Sequence, residues 1–141
     1  MASLQTWKMR CVTGLHRAVF DVTRGRLLGS MVGMPVFEVT TTGRKTGEPK
    51  VTMLTSPIVE GGRVVFVASY GGSPAHPQWY RNLLADPRVV VVGAGRRRTM
   101  TARTAMPDER ALLWPRVVAT YRGYAAYQAK TDREIPLVIC E

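Results

Sequence analysis

The stretch Thr40-Thr41-Thr42-Gly43-Arg44-Lys45-Thr46-Gly47-Glu48-Pro49-Lys50 constrains this chain most, because extended, apolar-alternating runs lie on both sides of it. Alternation with a period of two marks strands with unlike faces, so the runs and the glycine-bearing segment between them predict a long β-hairpin. Its tip carries Arg44 and Lys45 between two glycines, and Lys50 follows on the returning strand. Backbone N–H groups beside two cations make a seat for phosphate or carboxylate; a solvated basic turn that binds nothing is the alternative. A Walker loop is excluded, since no Gly-Lys-Ser/Thr closes the spacing and no helical pattern follows.

Further strands are expected over 36–41 and 51–59, with Pro57 marking an edge or bulge, and over 64–68 after the turn Glu60-Gly61-Gly62-Arg63. Another pair, over 88–92 and 97–105, is joined by Gly93-Ala94-Gly95, and 135–140 reads as a last strand. Arg96-Arg97-Arg98 reads as a solvated basic edge. A short helix is expected over 77–86 with Trp79, Leu83 and Leu84 inward and Pro87 stopping it. A second starts at Pro107 and runs through Leu112, Leu113, Val117 and Val118 to about Tyr121, kinked or divided by Pro115. A further turn or two follows over 124–130. Near the N-terminus, Leu4, Trp7, Cys11, Leu15, Ala18 and Val22 recur at steps of three and four, with Lys8, Arg10 and Arg17 near or off that stripe. These residues predict a basic amphipathic helix. The fold class is therefore α+β: five or six mostly antiparallel strands in a small barrel over 35–141, with flanking helices, preceded over 1–34 by the amphipathic helix and a connector.

At 141 residues the chain is one structural domain overall. No apolar run approaches the roughly 18 residues that span a bilayer, and the N-terminus shows no uninterrupted apolar core of a secretory signal. A cytoplasmic protein is expected. The amphipathic helix can dock on its own domain or lie peripherally on a membrane; a folded variant lacking residues 1–30 that still binds liposomes argues against the membrane role. Twenty Lys+Arg against ten Asp+Glu leave a formal charge of +10, which attracts polyanions: nucleic acid, anionic lipid or a multiply charged cofactor. Cys11 and Cys140 show no paired spacing and read as reduced thiols, and the two histidines, His16 and His76, lack partners at metal spacing. No metal site is expected.

Chemistry concentrates elsewhere. Ser69-Tyr70-Gly71-Gly72 ends the most apolar strand in a loop where backbone can approach a planar ligand. Trp79 and Asn82, three apart on a helix, put an indole beside an amide, although separately each suits core or cap. Tyr121, Tyr124 and Tyr127 recur every three residues; if helical, three phenols face one region, able to bind an oxygen and relay a proton, or simply to pack on the barrel. No Ser-His-Asp set, close carboxylate pair or Cys-His pair is present. An enzyme of this composition needs a cofactor to supply the reactivity.

The ordered set Thr41-Thr42-Gly43-Arg44-Lys45-Thr46-Gly47, Ala68-Ser69-Tyr70-Gly71-Gly72, Pro77-Gln78-Trp79-Tyr80-Arg81-Asn82-Leu83 and Thr131-Asp132-Arg133-Glu134-Ile135-Pro136 resembles the deazaflavin-dependent nitroreductase family of actinobacteria. The resemblance runs from about Val36 to the C-terminus. It implies a split β-barrel that binds coenzyme F-420. It also implies that Arg44, Lys45, Thr46 and Lys50 hold the coenzyme's phosphate and acidic tail, and that Met53 and Leu54 border the deazaflavin ring. Ala68, Ser69, Tyr70, Gly71 and Gly72 correspond to the strand end and loop at the ring's polar edge. Pro77, Gln78, Trp79 and Asn82 correspond to helix positions of the same pocket. Tyr121, Tyr124 and Tyr127 correspond to tyrosines that close over the substrate, with Ser69 orienting it. Tyr70 stands where the family's nitroimidazole-activating member has Lys, and Met53 where it has Pro, which bears on substrate range.

The function expected is hydride transfer from reduced coenzyme F-420 to a quinone, an activated C=C (enone) or a nitroaromatic acceptor. Two rivals are an FMN-binding split-barrel oxidoreductase and a non-enzymatic basic module for nucleic acid or lipid, which salt-sensitive binding without coenzyme affinity would favour. Oligomeric state has no signature of its own in the sequence.

Overall fold

A computed structural model of the chain describes residues 30–31 and 33–141. The helix expected over 4–22, with Cys11 and His16, lies outside the described residues. Among those described are eight strands: β1 (Ser30–Met31), β2 (Met34–Thr42), β3 (Pro49–Thr55), β4 (Ile58–Glu60), β5 (Arg63–Val67), β6 (Arg88–Gly93), β7 (Arg96–Thr104) and β8 (Leu137–Cys140). Three helices accompany them: α1 (Gln78–Ala85), α2 (Pro107–Thr120) and α3 (Gly123–Ala129). No described helix is long and apolar enough to cross a membrane.

All pairings are antiparallel, in the order β1-β2-β6-β7-β8-β5-β4, with β3 also on β2. The strand expected over 51–59 is divided. β3 ends its pairing with β2 at Thr55↔Val36, and β4 starts pairing with β5 at Ile58↔Val65. Pro57, which has no N–H to give to a ladder, falls in the gap. Buried Ser56 bridges the change of partner: its N–H donates to the Pro35 carbonyl (3.0 Å) and its hydroxyl to the Val65 carbonyl (2.6 Å). The ends of the sheet are thus consecutive pieces of one chain, and the sheet curls into a barrel split at that point.

Both faces of the inner strands are covered, which explains their near-continuous apolar runs. On one face Val64 and Phe66 of β5 join Val138 and Cys140 of β8, with Phe37, Val39, Val89 and Val91, to fill the barrel; Tyr80 and Leu83 of α1 plug it. On the other face Val65, Val67, Leu137 and Ile139 pack against Leu113 and Val117 of α2 and Tyr124 of α3. Burial pushes the Cys140 thiol up to about 12, so it is an unreactive core group, in line with its reading as a reduced thiol.

Two expectations are corrected. Leu84 points outward, 58% exposed, while the inward positions of α1 are Tyr80, Asn82 and Leu83. Pro115 does not divide α2, which is continuous from Pro107 to Thr120. An interior proline costs about 3 kcal/mol, and burying a Leu or Val side chain returns about 1.5–3 kcal/mol each. Leu113 and Val117 flank Pro115 on the covered face, so packing outweighs the lost hydrogen bond. The helix start is fixed as its sequence suggests: Glu109 accepts the Met106 N–H (2.9 Å) and a two-pronged contact from Arg103, which holds its carboxyl down to about 2.

Candidate functional site

A cleft of about 1180 Å³ lies between the β2–β3 hairpin, the start of α1, the loop after β5 and the tyrosines around α3. The hairpin loop is closed by backbone bonds, Gly43 N–H to the Glu48 carbonyl and Gly47 N–H to the Gly43 carbonyl, both 2.8 Å. Its placement over the barrel depends on Asn82. The buried amide oxygen accepts both the Arg44 backbone N–H (3.2 Å) and the Arg44 guanidinium (2.8 Å), while its amide nitrogen donates to Thr41 Oγ1 (3.3 Å). Gln78 Oε1 accepts a further Arg44 bond at 2.7 Å. These partners are neutral, so the positive charge of Arg44 is oriented without being cancelled. Among the described residues no carboxylate pairs with Arg44, Lys45 or Lys50, and all three line the cleft.

The walls beyond the cations are apolar: Met53, Leu54 and Trp79, whose indole also stands edge-on to core Phe66 with ring centroids 6.5 Å apart. Trp79 therefore serves core and cleft together. The loop after β5 contributes Ser69, Tyr70 and Gly71, and its 3-10 turn spans Tyr70–Gly72. Ala68 and Gly72 do not reach the cleft. Ala68 is buried with the barrel interior, and Gly72 packs so closely on α3 that an added Cβ would lie 2.6 Å from the Tyr127 carbonyl oxygen.

The tyrosines come together, but on two elements rather than one helix. Tyr121 caps the C-terminus of α2, and Tyr124 and Tyr127 lie on α3. The rings meet edge to face, with centroids 5.2, 6.3 and 6.4 Å apart. Gly123 permits the fold-back, because a Cβ there would sit 2.4 Å from the Tyr121 ring. Tyr124 is buried, its hydroxyl 3.3 Å from Thr55 Oγ1 and 3.7 Å from Met34 Sδ. Burial raises its pKa above the ordinary phenol value, and the Thr55 bond opposes this only in part. Tyr127 is raised as well, first by hydrogen bonding with Tyr121 and then by burial. Tyr124 and Tyr127 therefore keep their protons at neutral pH.

Met34, Val36, Thr52 and Thr55 also line the cleft, and sequence reasoning did not single them out. Strand alternation could place them on a face but not beneath a tyrosine cluster formed by distant residues. No group of three or more His, Cys, Asp or Glu that could hold a metal occurs among the described residues.

The fold is that of a split barrel with a cationic hairpin, an indole wall and clustered phenols around one cleft. The family described as F-420H(2)-dependent quinone reductase matches residues 9–141, and this chain belongs to it. It is 37% identical over 129 residues to an F-420H(2)-dependent quinone reductase of Mycobacterium tuberculosis (strain ATCC 25618 / H37Rv), covering 89% of this chain and 86% of that one. A solved F-420-H(2)-dependent reductase aligns with a TM-score of 0.69 and 42% identity, over 76% of this chain and 94% of its own. A second solved structure, described as a domain-swapped dimer, aligns at 0.70 and 35% identity over 90% and 96%. Membership makes the chain a coenzyme F-420-dependent reductase and bears out the split-barrel α+β fold. It leaves the FMN and non-enzymatic readings without support.

Proposed function

We propose that this chain reduces a quinone with hydride from reduced coenzyme F-420, and that the cleft described above is where it does so. The observation that carries this reading is the continuity of three carboxylate-free cations with a cluster of phenols in one cleft. The residues present fit the coenzyme. Arg44, Lys45 and Lys50 suit a phosphate and carboxylate tail, and Thr46 adds a hydroxyl beside them. Met53, Leu54, Pro77 and Trp79 offer a flat apolar slot for a fused ring, while Ser69, Tyr70 and Gly71 supply polar groups at its edge. Gln78 and Asn82 hold Arg44 in place.

When bound, the reduced coenzyme supplies the hydride; the protein's share is to orient the acceptor, exclude water and deliver a proton. Turning a quinone into a hydroquinone takes one hydride and one proton overall, and charge grows on a carbonyl oxygen as the hydride arrives. Tyr121, Tyr124 and Tyr127 offer O–H donors to that oxygen, and Ser69 offers another at the rim. An enone or nitroaromatic acceptor makes the same demand for donors, so the cleft suits these classes too, and an acceptor screen ranks them. The proposal extends to a cytoplasmic location, as expected from the sequence.

The test is a fluorescence titration of the purified protein with coenzyme F-420, using FMN as the comparison. Saturable binding with preference for F-420 is expected. Lys45→Ala should weaken it by about three- to tenfold at low salt, and by less at high salt, because the side chain is exposed and its charge is screened. Binding to neither compound would overturn the reading.

A further inference from the structure

We propose that Arg133 is a positioning residue that clamps the cleft rim to the tyrosine-bearing helix, and that its contact with His76 makes this clamp acid-sensitive. The inference rests on the site reading above for its functional consequence and on the geometry alone for the clamp.

Arg133 follows α3 in the connection to β8 and is half-buried. Its guanidinium spends four bonds on one loop. Nε donates to the Ser73 carbonyl (2.8 Å), Nη2 to the Ser69 carbonyl (2.8 Å), and Nη1 to the Ala68 carbonyl (3.2 Å) and toward His76 Nδ1 (3.1 Å). No carboxylate pairs with Arg133 among the described residues. The backbone of the same residue is fixed to α3, since Gln128 Nε2 donates to the Arg133 carbonyl at 2.7 Å and Gln128 Oε1 accepts the Ile135 N–H at 2.8 Å. One residue therefore joins the helix of Tyr124 and Tyr127 to the loop that brings Ser69, Tyr70 and Gly71 into the cleft.

The loop needs such a hold. Tyr70, Gly71 and Gly72 have φ of 45°, 62° and 82°, three left-handed residues in succession, and the first carries a side chain that disfavours that region. Charge-assisted bonds to the carbonyls on both sides of the turn, at Ser69 and Ser73, oppose its relaxation.

The imidazole sets the pH dependence. A guanidinium only donates, so Nδ1 must accept, which requires a neutral ring with its proton on Nε2. Every neighbour facing the ring favours or tolerates that neutrality: Arg133 is in contact, Arg81 of α1 adds a second positive charge, and the Tyr80 ring lies tilted against it with centroids 4.9 Å apart. Burial first, then Arg133 and Arg81, lower the His76 pKa below its usual value of 6.5. The sign follows. A released imidazole gains its proton near 6.5, before the clamped one does, so closure is fully favoured above that pH and is lost progressively as pH falls below it.

Hydrogen exchange of the coenzyme-free protein tests this. The reporters are the Gly72 and Ser73 amides, which donate to the Ser69 and Tyr70 carbonyls. After correction for intrinsic exchange, their protection should fall by about tenfold between about pH 7.5 and about pH 5.5, the size of one lost bond to a charged group. His76→Asn keeps an acceptor at the Nδ1 position and cannot be protonated, so its protection should be the same at both pH values. Arg133→Lys, whose single ammonium cannot reach three carbonyls, should lose protection at both, and its quinone reductase profile should lack the acid limb of the parent. Wild-type protection that does not change with pH, or an equal loss in His76→Asn, overturns the acid sensitivity whether or not Arg133→Lys folds, and full protection in a folded Arg133→Lys overturns the clamp. Because exchange is read without coenzyme, a protein that behaves as expected here and yet binds no F-420 overturns the functional reading alone.

Discussion

Replacing Tyr124 by Phe should lower kcat for quinone reduction by on the order of 10²-fold, with coenzyme F-420 affinity held within about twofold. The substitution removes one oxygen and leaves the ring contacts with Tyr121 and Tyr127 intact. What it removes is the most buried hydroxyl of the cluster, held by Thr55 and kept protonated by its surroundings. A donor in such a place strengthens as charge gathers on the acceptor oxygen, so its loss falls on the transition state rather than on binding. The hydroxyl's own structural bonds are modest, each worth about 1 kcal/mol, so the variant should fold. Single-turnover reduction of a quinone by the preloaded enzyme separates the two effects. An unchanged rate would remove the proton role from Tyr124, and a large rise in coenzyme Kd would reassign it to binding.

Much of this arrangement was legible in the sequence. The basic hairpin, the glycine turns and the alternating strands are local signals, carried by residues whose neighbours in the chain are also their neighbours in space. The i,i+3 pairing of Trp79 and Asn82 likewise predicted a shared helix face. Local signals failed where a distant partner decided the outcome. Asn82 is buried in place of Leu84 because a hairpin 38 residues earlier brings Arg44 to its amide. Tyr121, Tyr124 and Tyr127 looked like one helical stripe, yet they span the break between α2 and α3 and meet through Gly123. Arg133 stood in a recognised motif, but nothing in the sequence assigned its side chain a role. Its partners are mainly backbone carbonyls, and no side-chain pattern announces those.

Asn82→Leu should produce the second large effect: a loss of about 2–3 kcal/mol of stability and a weakening of F-420 binding by about tenfold or more. Leucine nearly matches the volume, so the barrel should accept it without a cavity. The cost comes from polar groups left behind. The Arg44 backbone N–H and the Thr41 hydroxyl lose a buried partner, and the Arg44 guanidinium keeps only Gln78. Arg44 is half-exposed and water can replace part of its bond, which is why the estimate stays below the sum of three buried bonds. The hairpin is then free to swing, and its cations no longer stand at fixed places along the cleft. A double-mutant cycle with Arg44→Ala, read by thermal unfolding and by F-420 titration, isolates the coupling. Once Asn82 is gone, removing the Arg44 side chain should cost much less than it does in the parent. Additive losses would mean that Arg44 acts on the coenzyme independently of its anchor, and that the rigidity of the hairpin is set elsewhere.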